Sequence, residues 1–255
     1  MPDIYGARGE NAITSLGLNV GGVSQEGLGA MALTLVLVVL AVLFAFVDVW
    51  YFVRFFFLLL RFSLKKLLRR VSGGERMIFP QDFLSREYRC YGIVLPSDLD
   101  FMLHMNNSKY LREMDFGRVG LNLEWGLGDV VRKLGGRIVL NAAAVRYRRS
   151  LQLFQTFVIT TKILCWDDSA IYFEQKVIAR DGFVCTLLFA KIAVRGVTAP
   201  AIFQELVGSG RSPPPPPEVH SWIESIARSS TAMKREGNGV GQNCESKVRK
   251  VNHVE

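Results

Sequence analysis

One stretch, Val94 to Arg118 (VLPSDLDFMLHMNNSKYLREMDFGR), gathers residues that could do chemistry. Two acids lie two apart (Asp98 and Asp100), followed by His104, the pair Asn106-Asn107, and the start of a helix that carries Tyr110, Glu113 and Asp115. Carboxylates and an imidazole are groups that take up and release protons. A helix start carries unpaired N–H donors and a positive dipole end. The same residues also have plainly structural readings. Asp98, after Ser97, suits a turn acid that accepts from nearby backbone. Asn106 suits a helix N-cap. Glu113 and Asp115 suit early helix acids partnered by Arg118. His104 can pack as a neutral core histidine, and Tyr110 on the inner helix face.

The surrounding chain must position this segment. Residues 86–95 (REYRCYGIVL) read as a strand rich in aromatic and branched residues. After Asn106 an apolar stripe (Tyr110, Leu111, Met114, Val119, Leu121, Trp125) predicts a helix. Gly126 and Gly128 loosen the pattern before DVVRKL continues it to Gly135-Gly136, so one long helix and a helix with a short second one both fit. The period then switches to two. Strands are expected at 137–149, 156–166, 169–179 and 183–194, with a turn at Trp166-Asp167-Asp168-Ser169 and a hairpin at Asp181-Gly182. Five strands with one substantial helix over their apolar face make an α+β, antiparallel, curled sheet around one long central helix. Its exposed edge strands predict a homodimer.

The 255 residues carry 49% apolar side chains and a net charge of +8. Leu28 to Val47 has no charge over a length that matches a hydrocarbon core, which predicts a single transmembrane helix. The acids Asp3, Glu10 and Glu26 precede it, which disfavours a cleaved secretory leader. Arg54, Arg61, Lys65, Lys66, Arg69 and Arg70 follow it, placing the domain after residue 50 in the cytosol and predicting contact with membrane lipid. The expected division is therefore a disordered segment at 1–27, a transmembrane helix at 28–47 and a basic, aromatic juxtamembrane stretch at 48–76. The main domain follows at 77–197, then a Pro-rich spacer and accessory helix at 198–235 and a disordered tail at 236–255. Membrane topology accounts for the basic charge, so nucleic acid is not an expected partner. Cys90, Cys165, Cys185 and Cys244 are scattered without a CxxC and the three His are far apart, so no metal site and no cofactor are expected.

On Asp98, Asp100, His104, Met105, Asn106, Asn107 and Tyr110 the sequence resembles hotdog-fold acyl-CoA thioesterases of the 4-hydroxybenzoyl-CoA thioesterase type. The resemblance to membrane-anchored members extends through Asp48–Tyr51, Arg148–Leu151, Cys165–Asp168 and Arg180–Cys185, and covers roughly residues 40 to 230. It implies a hotdog fold and hydrolysis of acyl-CoA thioesters at an internal membrane, taken as the endoplasmic reticulum. It implies Asp100 as nucleophile or base, His104 as its aid, and the Asn107 backbone N–H as the donor to the carbonyl oxygen. Asp98, Asn106, Tyr110, Glu113 and Asp115 would support them. Leu103 departs from the type pattern, which has Gly just before the His position. That departure, with the Pro run and the tail, motivates the alternative of a non-catalytic hotdog module that binds acyl-CoA, lipid or a protein.

Overall fold

The computed structural model describes residues 25–46, 48–71 and 82–251. Its chain forms two units, Met1–Phe57 and Leu58–Glu255. The first holds helix α1 (Gln25–Phe46) and the start of α2 (Val49–Val71), where the Asp48 carbonyl and carboxylate both accept the Tyr51 N–H. The expected span at 28–47 does not stand: among the described residues no helix is long and apolar enough to cross a membrane. The membrane anchor, the single-pass topology and the endoplasmic-reticulum placement built on that span fall with it. Two of the lysines that follow it have acidic partners in the protein. Lys65 lies 3.7 Å from Glu124 and Lys66 lies 3.1 Å from Asp129, while Phe62 of the same helix is buried in the main core.

The second unit is built on a five-stranded antiparallel sheet in the order β1-β3-β4-β5-β2. The strands are β1 (Tyr88–Ile93), β2 (Arg137–Tyr147), β3 (Thr156–Trp166), β4 (Ala170–Ala179) and β5 (Val184–Arg195). Gly182 takes φ +82° in the β4–β5 turn, as the Asp-Gly pair predicts, and one guanidinium nitrogen of Arg149 donates to both carboxylate oxygens of its neighbour Asp181, at 2.7 and 2.8 Å.

Helix α3 (Asn107–Glu124) packs on the inner face, against β1, β3 and β4. It can lie close because Gly117 and Gly120 face the sheet: a Cβ at Gly117 would sit 2.6 Å from the Thr161 hydroxyl, and one at Gly120 2.2 Å from the Tyr88 hydroxyl. A buried polar staple sits beneath it. The Arg118 guanidinium donates to the Gln175 amide oxygen and to Asp115, and the Gln175 amide donates to Met114 O at 2.8 Å and to Thr161 at 2.9 Å.

The single long central helix is also corrected. Six α-helices are present among the described residues. Gly126 adopts a left-handed φ of +73°, ends α3 beyond Trp125 and starts the separate α4 (Leu127–Lys133). Helices α5 (Ala199–Val207) and α6 (Pro217–Val251) follow the sheet. Phe203 of α5 stacks on Trp166 with ring centroids 3.7 Å apart. The Pro-rich run before α6 is tied to β3: the Trp166 N–H donates to the Ser212 hydroxyl at 2.9 Å and its indole N–H to Gly210 O at 3.0 Å. Val219, Trp222 and Ile223 of α6 then cover the outer sheet face around Cys165, Ala170 and Tyr172.

Candidate functional site

The segment between β1 and α3 folds back on itself as a narrow hairpin. Pro96–Asp98 make a single 3-10 turn, which proline's fixed φ favours at its first position. Asp98 O accepts the Asn106 N–H at 2.8 Å, Leu99 bridges Met105, and the Asp100 N–H donates to His104 O at 3.0 Å. The tip closes with Leu103 N–H on Asp100 O at 3.0 Å and Met102 N–H on the Asp100 carboxylate at 2.9 Å. Leu103 closes this turn at φ +61°, the conformation glycine adopts without strain. Its side chain is 72% exposed, so the turn closes with the leucine's bulk in solvent. Met105 N–H on Leu151 O at 2.9 Å anchors the returning arm to the β2–β3 connection.

The two acids have different environments. Asp98 is 1% exposed; one carboxylate oxygen takes Arg112 at 2.6 Å and the other the Leu95 N–H at 2.9 Å. The Asp100 carboxylate is 17% exposed, and its second oxygen lies 3.5 Å from His104 Nδ1. At that distance the pair attract when the imidazole is protonated but form no hydrogen bond, and Nδ1 is buried without a hydrogen-bond partner. Asp100 is thus the acid with solvent access.

The start of α3 follows three residues after His104, about 10 Å of chain at most. The Asn106 side chain caps it, accepting the Ser108 N–H at 2.9 Å, and Asn106 O takes the Lys109 N–H at 2.9 Å. The Asn107 N–H is left as the first-turn donor with no partner among the described residues. Two tyrosines hold this turn. Tyr147 donates its hydroxyl to Asn107 O at 2.9 Å, and Tyr110, 1% exposed, accepts the Leu151 N–H at 2.9 Å. Their rings meet edge to face at 5.6 Å, and burial pushes the Tyr110 hydroxyl up to about 12. The Tyr110 oxygen is thereby engaged by backbone. Glu113 is buried 3.8 Å from Arg112, and Asp115 is half-exposed and bound to Arg118.

The structure therefore brings Asp98, Asp100, His104, Asn106, Asn107 and Tyr110 into one hairpin-and-helix unit, and gives Asp115 to the polar staple. Arg112, Tyr147 and Leu151 belong to the unit as well but carried no sequence signal: their partners lie 14, 40 and 41 residues away. Among the described residues no group of three or more His, Cys, Asp or Glu side chains could hold a metal ion.

The family model of the thioesterase-like superfamily matches residues 94–223, a span that contains the hairpin, α3 and four of the five strands. The chain belongs to this superfamily. Among its relatives is Protein THEM6 of Xenopus laevis, 37% identical over 215 residues, which cover 84% of this chain and 97% of that protein. Protein THEM6 of Drosophila melanogaster is 33% identical over 202 residues, covering 78% of this chain and 98% of its own. A probable thioesterase of Saccharomyces cerevisiae is 24% identical over 162 residues, covering 57% of this chain and 65% of its own length. The crystal structure of YbaW probable thioesterase from Escherichia coli aligns at 17% identity with a TM-score of 0.42, covering 49% of this chain and 99% of that one.

Proposed function

We propose that this protein hydrolyses acyl thioesters of the acyl-CoA class at the hairpin formed by residues 98–106. The observation that carries the reading is the partly exposed Asp100 carboxylate, set opposite His104 and a few residues from an α3 first turn whose Asn107 N–H is unpaired. Kinship to proteins named as thioesterases supports the same ligand class. In the proposed reaction Asp100, as general base, removes a proton from a water molecule as its oxygen attacks the thioester carbonyl carbon. The carbonyl oxygen gains negative charge and is held by the Asn107 N–H and the positive end of α3. The C–S bond then breaks, the carbonyl re-forms as a carboxylic acid, and the proton held by Asp100 goes to the departing CoA sulfur. His104 flanks that base, its Nδ1 3.5 Å from the Asp100 carboxylate.

The reading includes a homodimer. Edge strand β2 exposes Val139 and Leu140 over an otherwise ordered ladder, and pairing with a second copy would cover them.

A second reading, a module that binds acyl-CoA or a protein without turnover, draws on the exposed apolar hairpin tip of Phe101, Met102 and Leu103. One experiment separates the two: turnover of acyl-CoAs of graded length by the full chain beside Asp100→Asn. Hydrolysis by the wild type that falls roughly tenfold or more in the variant supports catalysis. Equal rates, or binding with no turnover at any length, contradict it.

A further inference from the structure

We infer that Asp98 and Arg112 form a positioning pair that sets Asp100 in register with the start of α3. The inference rests on the hydrolytic reading above for its consequence, but on geometry for its substance. A single buried residue, Asp98, is bound at three points. Its carboxylate accepts the Leu95 N–H at 2.9 Å, where the hairpin begins. Its carbonyl accepts the N–H of Asn106, the N-cap of α3, at 2.8 Å. Its other carboxylate oxygen takes the Arg112 guanidinium at 2.6 Å, six residues further on and about 9 Å along the helix axis. These three ties fix the hairpin in position and in angle against the helix that carries the Asn107 donor.

Asp98 itself is out of reach of substrate, with 1% exposure and both carboxylate oxygens engaged. Its charge nevertheless matters, because a buried carboxylate requires a cation. Arg112 lies 2.6 Å from Asp98 and 3.8 Å from the buried Glu113, so its loss takes from the Asp98 carboxylate the cation bound to it. Asp100, two residues beyond Asp98, is where a loosened hairpin would go out of alignment. Misplacement of a reacting group by about 1 Å is enough to cost a large factor in rate.

The test uses the full chain with Asp98→Asn and Arg112→Gln, and Arg112→Lys as the conservative variant. Two readouts are taken: residue-resolved amide exchange, and kcat and KM on an acyl-CoA. The expected result is exchange about tenfold faster at the Leu95, Asp100 and Asn106 amides, with the β4 amides of Ile171 to Val177 unchanged. In parallel kcat falls about tenfold while KM stays within about twofold, and Arg112→Lys recovers most of the loss. Unchanged exchange at the three hairpin amides overturns the proposal. So does equal acceleration in β4, which marks a loss of overall stability, or a fall in kcat matched by the loss of folded protein. A wild type without turnover defeats the hydrolytic reading alone, since the exchange measurement still decides whether the pair holds the hairpin.

Discussion

The centre of the sheet and its β2 rim are built from the same antiparallel ladder, yet they meet opposite surroundings. Strand β4 is covered on one face by α3 and on the other by α6, and six of its ten residues, Ala170, Ile171, Tyr172, Phe173, Gln175 and Val177, are buried. Strand β2 has β5 on one side and no strand among the described residues on the other, and it exposes Val139, Leu140 and Tyr147. The hairpin tip at Phe101–Leu103 shares the exposure of β2 rather than the enclosure of β4. The chain completes its own centre and leaves unfinished the part that carries Asp100. A binding surface needs that asymmetry: a rigid body behind, and uncovered apolar and ionisable groups in front.

The largest expected effect comes from breaking the centre. Gln175→Leu removes the acceptor of Arg118 and the donor to Met114 O and Thr161, leaving all three short of a partner in a fully buried place. The loss should be about 3 kcal/mol by denaturant unfolding, since a buried polar group deprived of its partner keeps its desolvation penalty.

Alkaline titration probes both regions together. Burial raises Tyr88, under α3, and Tyr110, beside the hairpin, to about 12. A raised folded value means that the neutral phenol is favoured in the native state. The stability this adds is full below the ordinary tyrosine value near 10 and is lost as pH climbs from there through about 12. Unfolding and the appearance of the buried tyrosinates should coincide in that window; ionisation of both well below it, with the fold intact, contradicts the packing described.

Smaller effects belong to the rim. Leu103→Gly should stabilise the chain by about 1 kcal/mol, because a non-glycine residue at φ +61° is strained and its exposed side chain contributes little packing. Val139→Lys on the free edge should change monomer stability by no more than about 0.5 kcal/mol. It should nevertheless halve the mass seen by sedimentation, since a charged edge opposes strand pairing. A wild type that is already monomeric at micromolar concentration would contradict the dimer.

The same contrast governs what could be read from the residues. Period-two runs placed β2 to β5, aromatic and branched content placed β1, the Asp-Gly pair placed the β4–β5 hairpin, and Asn106 announced the α3 cap, because each depends on neighbours in sequence. Gly126 was visible as a weakness, but only its left-handed backbone decides that α3 ends there. Apolar content alone does not distinguish the α1 stretch from a membrane span, and the pairing of Lys65 and Lys66 with Glu124 and Asp129 is hidden because the acids lie far along the chain. The Pro run reads as a free spacer because its bonds to Trp166 come from 44 and 46 residues away. Asp98 and Asp100 look alike in the chain. What separates them is Arg112, which meets Asp98 from 14 residues further along the chain.

The central claim is that Asp100 and the open end of α3 act on one thioester carbonyl. Its most direct test is an experimental structure of the full chain bound to a non-hydrolysable ketone analogue of a long-chain acyl-CoA. The account predicts the ketone oxygen about 3 Å from the Asn107 N–H, with the Asp100 carboxylate within one water of the carbonyl carbon. A carbonyl held elsewhere, with Asp100 and the α3 start both facing bulk solvent, would contradict it.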